Sequence, residues 1–205
     1  TTGAIYRIAP KGFRSRVPKL DLNTTEGQIA ALCNPSPNVR WSGFTRLKAQ
    51  GERAVPAVAA LLGNPNPHLA ARAVWLLAQM GPAGLGKVEP LLESADPQQR
   101  VLAYRALRRA GRDALSLAAR LVRDPSPAVR REIALSLRDV PEAQSVPLLV
   151  ALAEQFDGQD RAYLEALGLG CEGKERAGGM DRLAVAPGRC GAGAQSSCGR
   201  CRAEP

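Results

Sequence analysis

Four prolines, Pro37, Pro67, Pro97 and Pro127, stand thirty residues apart, and three residues beyond them lie Arg40, Ala70, Arg100 and Arg130. The same step links Leu47, Leu77, Leu107 and Leu137. It also links Phe44, Val74, Tyr104 and Ala134, and then Val58, Val88, Ala118 and Leu148. A fixed period that carries prolines and apolar residues in one phase is the signature of stacked structural repeats. Each column is then occupied to join one repeat to the next. No unique cleft is implied, which lowers the expectation of catalysis.

The second copy shows what one repeat is. Asn64-Pro65-Asn66-Pro67 reads as a turn that closes one helix and opens another, because proline fixes φ, lacks a donor and fits the first helical turn. Asn66 is the expected N-cap. Leu69, Ala73, Leu76, Leu77 and Met80 recur at helical spacing, and Gly81 is the expected stop. A second apolar stretch, Leu85 to Leu92, runs to the next turn at Ala95-Asp96-Pro97. The other copies read alike, with Asn34-Pro35-Ser36-Pro37 opening the first and Asp124-Pro125-Ser126-Pro127 the fourth. Val146-Pro147 matches Val55-Pro56 only with one residue inserted, and a fifth unit begins near Asp157-Gly158-Gln159-Asp160-Arg161. The expected fold is all-α: a solenoid of about four to five helical hairpins over residues 23–170, each too small to bury its own apolar face. Thr25 and Gln28 are expected to form a capping box for its first helix. The phased pattern resembles HEAT repeats of the short bacterial type.

The net charge of +9 raises the question of nucleic acid, so its placement matters. Residues 1–20 carry Arg7, Lys11, Arg14, Arg16 and Lys19 with no acid, whereas residues 21–170 hold 17 basic and 15 acidic side chains. A nucleic-acid-reading solenoid would concentrate its excess on one face of the repeats. The second helices, taken as the concave lining, carry Lys87 against Glu89, Glu93 and Glu154, and only that of the third repeat, with Arg120 and Arg123, leans basic. The local exception is Arg105, Arg108, Arg109 and Arg112, which fall at i, i+3, i+4 and i+7. They read either as a solvated face opposite Val101, Ala103, Tyr104 and Leu107, or as a docking patch for an acidic partner. Outward placement predicts that replacing them hardly alters stability. Asp96 and Asp124 are expected to cap helices and to pair with Arg100 and Arg130 between repeats.

Residues 3–9, Gly-Ala-Ile-Tyr-Arg-Ile-Ala, alternate like a short β-strand, and a lone strand needs a sheet elsewhere. Residues 1–22 therefore read as the end of an upstream unit. Gly3 to Gly12, then Val17-Pro18-Lys19-Leu20-Asp21-Leu22, then Val39-Arg40-Trp41 with Gly43-Phe44-Thr45-Arg46-Leu47 resemble the middle of planctomycete-type membrane-bound dehydrogenases. The resemblance covers residues 3 to about 175. It implies a HEAT-repeat segment between a sorbosone-dehydrogenase-like β-propeller and a c-type cytochrome domain, in an exported, extracytoplasmic protein. The propeller's active-site residues would precede Thr1, so none is assigned here, and the chain is expected to be a fragment.

Residues 171–205 lose the helical pattern and crowd glycine with Cys171, Cys190, Cys198 and Cys201. Such an Arg/Ala/Gly/Cys/Pro mixture is what a frame-shifted read of GC-rich DNA gives; a native disordered tail is the other reading. Cys198-Gly199-Arg200-Cys201 stops short of a haem-attachment motif, because Arg202 stands where an iron-ligating histidine is needed. The four tail cysteines hold only one pair at zinc-ligand spacing. No cofactor, metal or catalytic residue is expected. Cys33 reads as a small packing residue, and His68, the only histidine, as a solvent-facing turn residue. The reading is a non-catalytic scaffold, interaction or spacer module, with a protein or a neighbouring domain as partner. The alternatives are a bilin-lyase-like HEAT enzyme, which needs a lined tetrapyrrole pocket, and a nucleic-acid-binding HEAT protein. No run is long and apolar enough to span a membrane.

Overall fold

A computed structural model describes residues 8–14 and 19–174. Its α-helices are α1 (Thr25–Cys33), α2 (Pro37–Gln50), α3 (Val55–Ala59), α4 (Pro67–Leu77), α5 (Gly81–Val88), α6 (Pro97–Arg109), α7 (Ala114–Leu121), α8 (Pro127–Ser136), α9 (Glu142–Ala153) and α10 (Arg161–Cys171). Short 3₁₀ turns at Gly51–Ala54, Ala60–Gly63 and Glu89–Glu93 complete the second helices of the first two hairpins. No β-strand occurs among the described residues. The strand expected at 3–9 and the tail beyond Lys174 fall largely or wholly outside them.

The helices form a solenoid of hairpins. α4 packs on α6, α6 on α8 and α8 on α10, while α3 meets α5 and α7 meets α9 along the second row. The thirty-residue columns become its core. Leu47, Leu77, Leu107 and Leu137 are all at most 1% exposed. Val58, Val88 and Ala118 are fully buried, but the fourth copy uses Leu149 in place of Leu148. That shift by one is the inserted residue read from Val146-Pro147.

Local sequence explains the helix ends. Pro37, Pro67, Pro97 and Pro127 each open a first helix, where the missing N–H has no partner to lose. Asn66 and Asp96 cap α4 and α6, accepting from the amides of His68 and Gln98. Gly51, Gly81 and Gly111, again thirty apart, have φ of 61°, 73° and 82° and turn each chain into its second helix. Gly81 is not the end of α4, however. The helix stops at Leu77, Ala78 to Met80 form a turn, and Gly81 already belongs to α5.

The first cap also differs from the expected capping box. Thr24, in extended conformation, is the N-cap of α1 and accepts from the Gly27 amide. Thr25 donates instead to the Gln50 side chain on α2, and Gln28 donates to the Leu22 carbonyl. The Asp21 carbonyl lies where a Cβ on residue 27 would sit, 1.9 Å away. The chain therefore folds over the start of α1, and that fold brings Thr24 rather than Thr25 to the cap.

At the far end α10 lies tightly on α8. A Cβ on Gly170 would fall 2.6 Å from the Ala134 carbonyl, so only glycine permits this approach. Lys174 follows and is buried. Its ammonium donates to the carbonyls of Leu137, Arg138 and Gly170 at 2.7–2.9 Å. A cation there satisfies the open carbonyls at the ends of two helices and meets the negative end of both dipoles.

Candidate functional site

Polar side chains tie one repeat to the next in the C-terminal half. Arg100 grips Asp124 through two bonds of 2.7 Å, with both side chains largely buried. That bond holds the Arg100 guanidinium firmly charged. Asp124 also accepts from the Ser126 amide, fixing the turn before α8. It does not cap that helix itself; Ser126 occupies the N-cap position. Arg130 reaches the Asp124 carbonyl at 2.7 Å and the Tyr163 hydroxyl at 3.3 Å, and its guanidinium lies 5.3 Å from the Tyr163 ring centre. The pairing expected for Arg130 thus runs to a backbone carbonyl and a phenol rather than to a carboxylate. Tyr104, fully buried on α6, shares a 2.6 Å hydrogen bond with Ser136 on α8. Burial raises its pKa, and the bond to Ser136 partly opposes the shift.

The same network takes up most of the arginine patch. Arg105 donates to Glu132 on α8, and Arg108 stands 3.9 Å from the other oxygen of that carboxylate. Glu132 is buried, so it depends on these two cations. Arg108 also lies over the Tyr104 ring. Arg112 is not on the helix: α6 ends at Arg109, and the turn at Gly111 carries Arg112 to Glu89. Of the four, only Arg109 has no ion-pair partner among the described residues, and it is exposed. Three of the four arginines are therefore inter-element ties rather than a free patch. The sequence showed no acid among the four, and did not reveal their partners, because the acids they pair with lie more than twenty positions away along the chain.

An apolar feature lies at the other end of the same helix row. Trp41 is 65% exposed on α2 and stacks on Phe44, with ring centres 5.6 Å apart and planes within 7°. With Trp75 of α4 and Leu32 of α1 they wall a groove of about 230 Å³, rimmed by Arg40 and Arg72. Both tryptophans of the chain stand here. Periodicity hid this groove. Phe44 shares a column with buried Val74, Tyr104 and Ala134, yet it is only half-buried at the end of the stack. Trp41 shares one with Ala71, Val101 and Arg131, whose mixed polarity predicts nothing.

Other expected residues are placed plainly. His68 is exposed at the start of α4. Cys33 closes α1 half-buried, and burial raises its thiol pKa. Cys190, Cys198 and Cys201 lie outside the described residues. Among the described residues no cluster of His, Cys, Asp or Glu could hold a metal ion, and no helix is long and apolar enough to cross a membrane.

A family model of HEAT repeats matches residues 85–168, from within α5 to near the end of α10. Together with the stacked hairpins, this defines a HEAT-like helical-repeat solenoid. No curated protein matches the chain. The family match concerns the repeats alone and carries nothing about a dehydrogenase or a neighbouring domain.

Proposed function

We propose that the chain is a non-catalytic interaction or spacing module that docks a protein partner through the groove around Trp41. The observation that supports this is the stacked Trp41–Phe44 pair, exposed beside Trp75 and rimmed by Arg40 and Arg72. Exposed apolar patches of this kind mark contact sites, and tryptophan and arginine are enriched where binding energy concentrates. The buried charged groups Arg100, Asp124, Arg130, Glu132 and Lys174 all serve in ties between helices, which also favours a structural role. The resemblance of residues 3 to about 175 favours one setting: a spacer within a larger exported dehydrogenase-like protein.

The test is capture of partners from source cells on the immobilised chain. Trp41→Ala is expected to lower the recovered partner at least about tenfold, in keeping with a central tryptophan anchor, with the fold intact by circular dichroism. Undiminished capture by the folded variant removes the groove from the proposal. Covalently retained haem or dehydrogenase turnover in the purified chain would overturn the non-catalytic reading.

A further inference from the structure

Three of the four phased repeats use an arginine for the same task. Arg40 Nη1 donates to the carbonyls of Asn34 and Pro35. Arg100 Nη1 donates to those of Ser94 and Ala95 at 2.7 and 3.2 Å. Arg130 Nη1 donates to those of Asp124 and Pro125 at 2.7 and 3.1 Å. Each guanidinium satisfies two successive carbonyls where the preceding helix has ended. These groups lie outside the helix and have no ladder partner.

In the second repeat the residue is Ala70. The matching carbonyls belong to Asn64 and Pro65, and among the described residues nothing donates to either. Arg72 does not substitute, because its guanidinium turns to the Leu32 and Asn34 carbonyls of the previous repeat. A cavity of about 450 Å³ opens at this place, bordered by Asn64, Pro65 and Ala70. Leu62, Val74, Leu91 and Leu102 add apolar wall, and Asp96 stands among the lining residues from the next repeat. One oxygen of Asp96 accepts from the Gln98 amide; the carboxylate already acts on the charge of Arg100, and its other oxygen accepts no hydrogen bond among the described residues, which leaves it able to meet a second cation. Two further charge-bearing residues border the cavity. Arg105 is held by Glu132, and His68 is exposed at the helix start.

We propose that this cavity is a docking slot for an arginine side chain of a partner protein, which completes the missing member of the column. Two adjacent carbonyls and a carboxylate suit a planar fork of donors, whereas an ammonium presents a compact, strongly hydrated charge. The apolar wall suits the methylene stem of that side chain. The inference rests on the interaction-module reading, but its site is distinct from the Trp41 groove. A small probe tests it without any partner, so failure here and failure at Trp41 are separate results.

The experiment titrates the full chain with N-acetyl-arginine methylamide and with its lysine and citrulline counterparts. Amide resonances of the non-proline residues within 64–70 and 96–102 report binding. The arginine probe is expected to shift them saturably, and the lysine and citrulline probes to bind at least about fivefold more weakly. Asp96→Asn should weaken the arginine probe. Ala70→Arg should abolish its binding, because the built-in guanidinium then occupies the carbonyls. If Ala70→Arg does not fold, Ala70→Leu fills the same space and should also abolish binding. No saturable shift in the unaltered chain, equal binding of the lysine probe, or undiminished binding to a folded, filled variant would each overturn the proposal.

Discussion

The two halves of this solenoid share one apolar register but differ in how their repeats are tied. From α6 to α10, charge and hydroxyl pairs cross each junction: Arg100 to Asp124, Arg105 to Glu132, Tyr104 to Ser136 and Arg130 to Tyr163. Lys174 closes the end. From α1 to α5 the junctions rest on apolar columns, the neutral bond of Thr25 to Gln50, Lys48 donating to Gln79, and Arg72 reaching back to the end of α1, with no ion pair among the described residues. Ala70 interrupts the arginine column there, and Trp41 lies open. The HEAT-repeat match begins at residue 85 and spans the polar-tied half. Stacking itself needs only the apolar columns. The polar ties are an added layer, and where they lapse the surface gains a cavity and a groove.

The sharpest way to break this comparison is to cut sister positions in the two halves. Asp124→Ala strands Arg100 in a largely buried site and should cost about 3–5 kcal/mol, the range for orphaning a buried charge. Asn64, the matching residue two thirty-residue steps earlier, accepts with its side chain only from the Asn66 amide among the described residues. Asn64→Ala should cost no more than about 1.5 kcal/mol, the value of one neutral hydrogen bond. Denaturant midpoints measure both, and equal losses would erase the distinction.

The apolar layer should show no such asymmetry. Leu77→Ala and Leu107→Ala empty equivalent, fully buried sites, one in each half. Each is expected to lose about 2–5 kcal/mol. A loss well below that range at Leu77 alone would mean that the N-terminal half is not held by the shared register.

A smaller effect follows from the buried phenols, both in the polar-tied half. Burial raises Tyr104 and Tyr163 above the ordinary phenol value, so the folded chain holds these protons more tightly than the unfolded one. Their contribution to stability is complete below about pH 10 and falls as pH rises through the folded values. Tyr104→Phe should flatten part of that alkaline decline, read from denaturation midpoints on either side of about pH 10. An unchanged slope would place the titration elsewhere.

Much of the fold was legible in the chain. The step of thirty sets the hairpins, because burying one face of each hairpin against the next demands the same apolar residue types at the same station. Leu47, Leu77, Leu107 and Leu137 needed no coordinates. Pro67, Asn66 and Gly81 act within a few residues of themselves, so their turn was readable, although the end of α4 was not placed to the residue. The candidate sites were far less legible. Arg105, Arg108, Arg109 and Arg112 look alike along the chain, and Phe44 looks like a core residue.

The sequence by itself determined the period, the helical hairpins and the buried columns, since those follow from spacing and local backbone chemistry. Only the tertiary structure decided which charges meet, because Glu89, Glu132 and Asp124 reach their arginines from other turns of the solenoid. It alone turned Ala70 from a gap in a pattern into the border of a cavity beside Asn64 and Pro65, whose carbonyls have no donor among the described residues. It also left Trp41 in solvent, since exposure depends on what stands beside a residue in space and not on its place in the repeat.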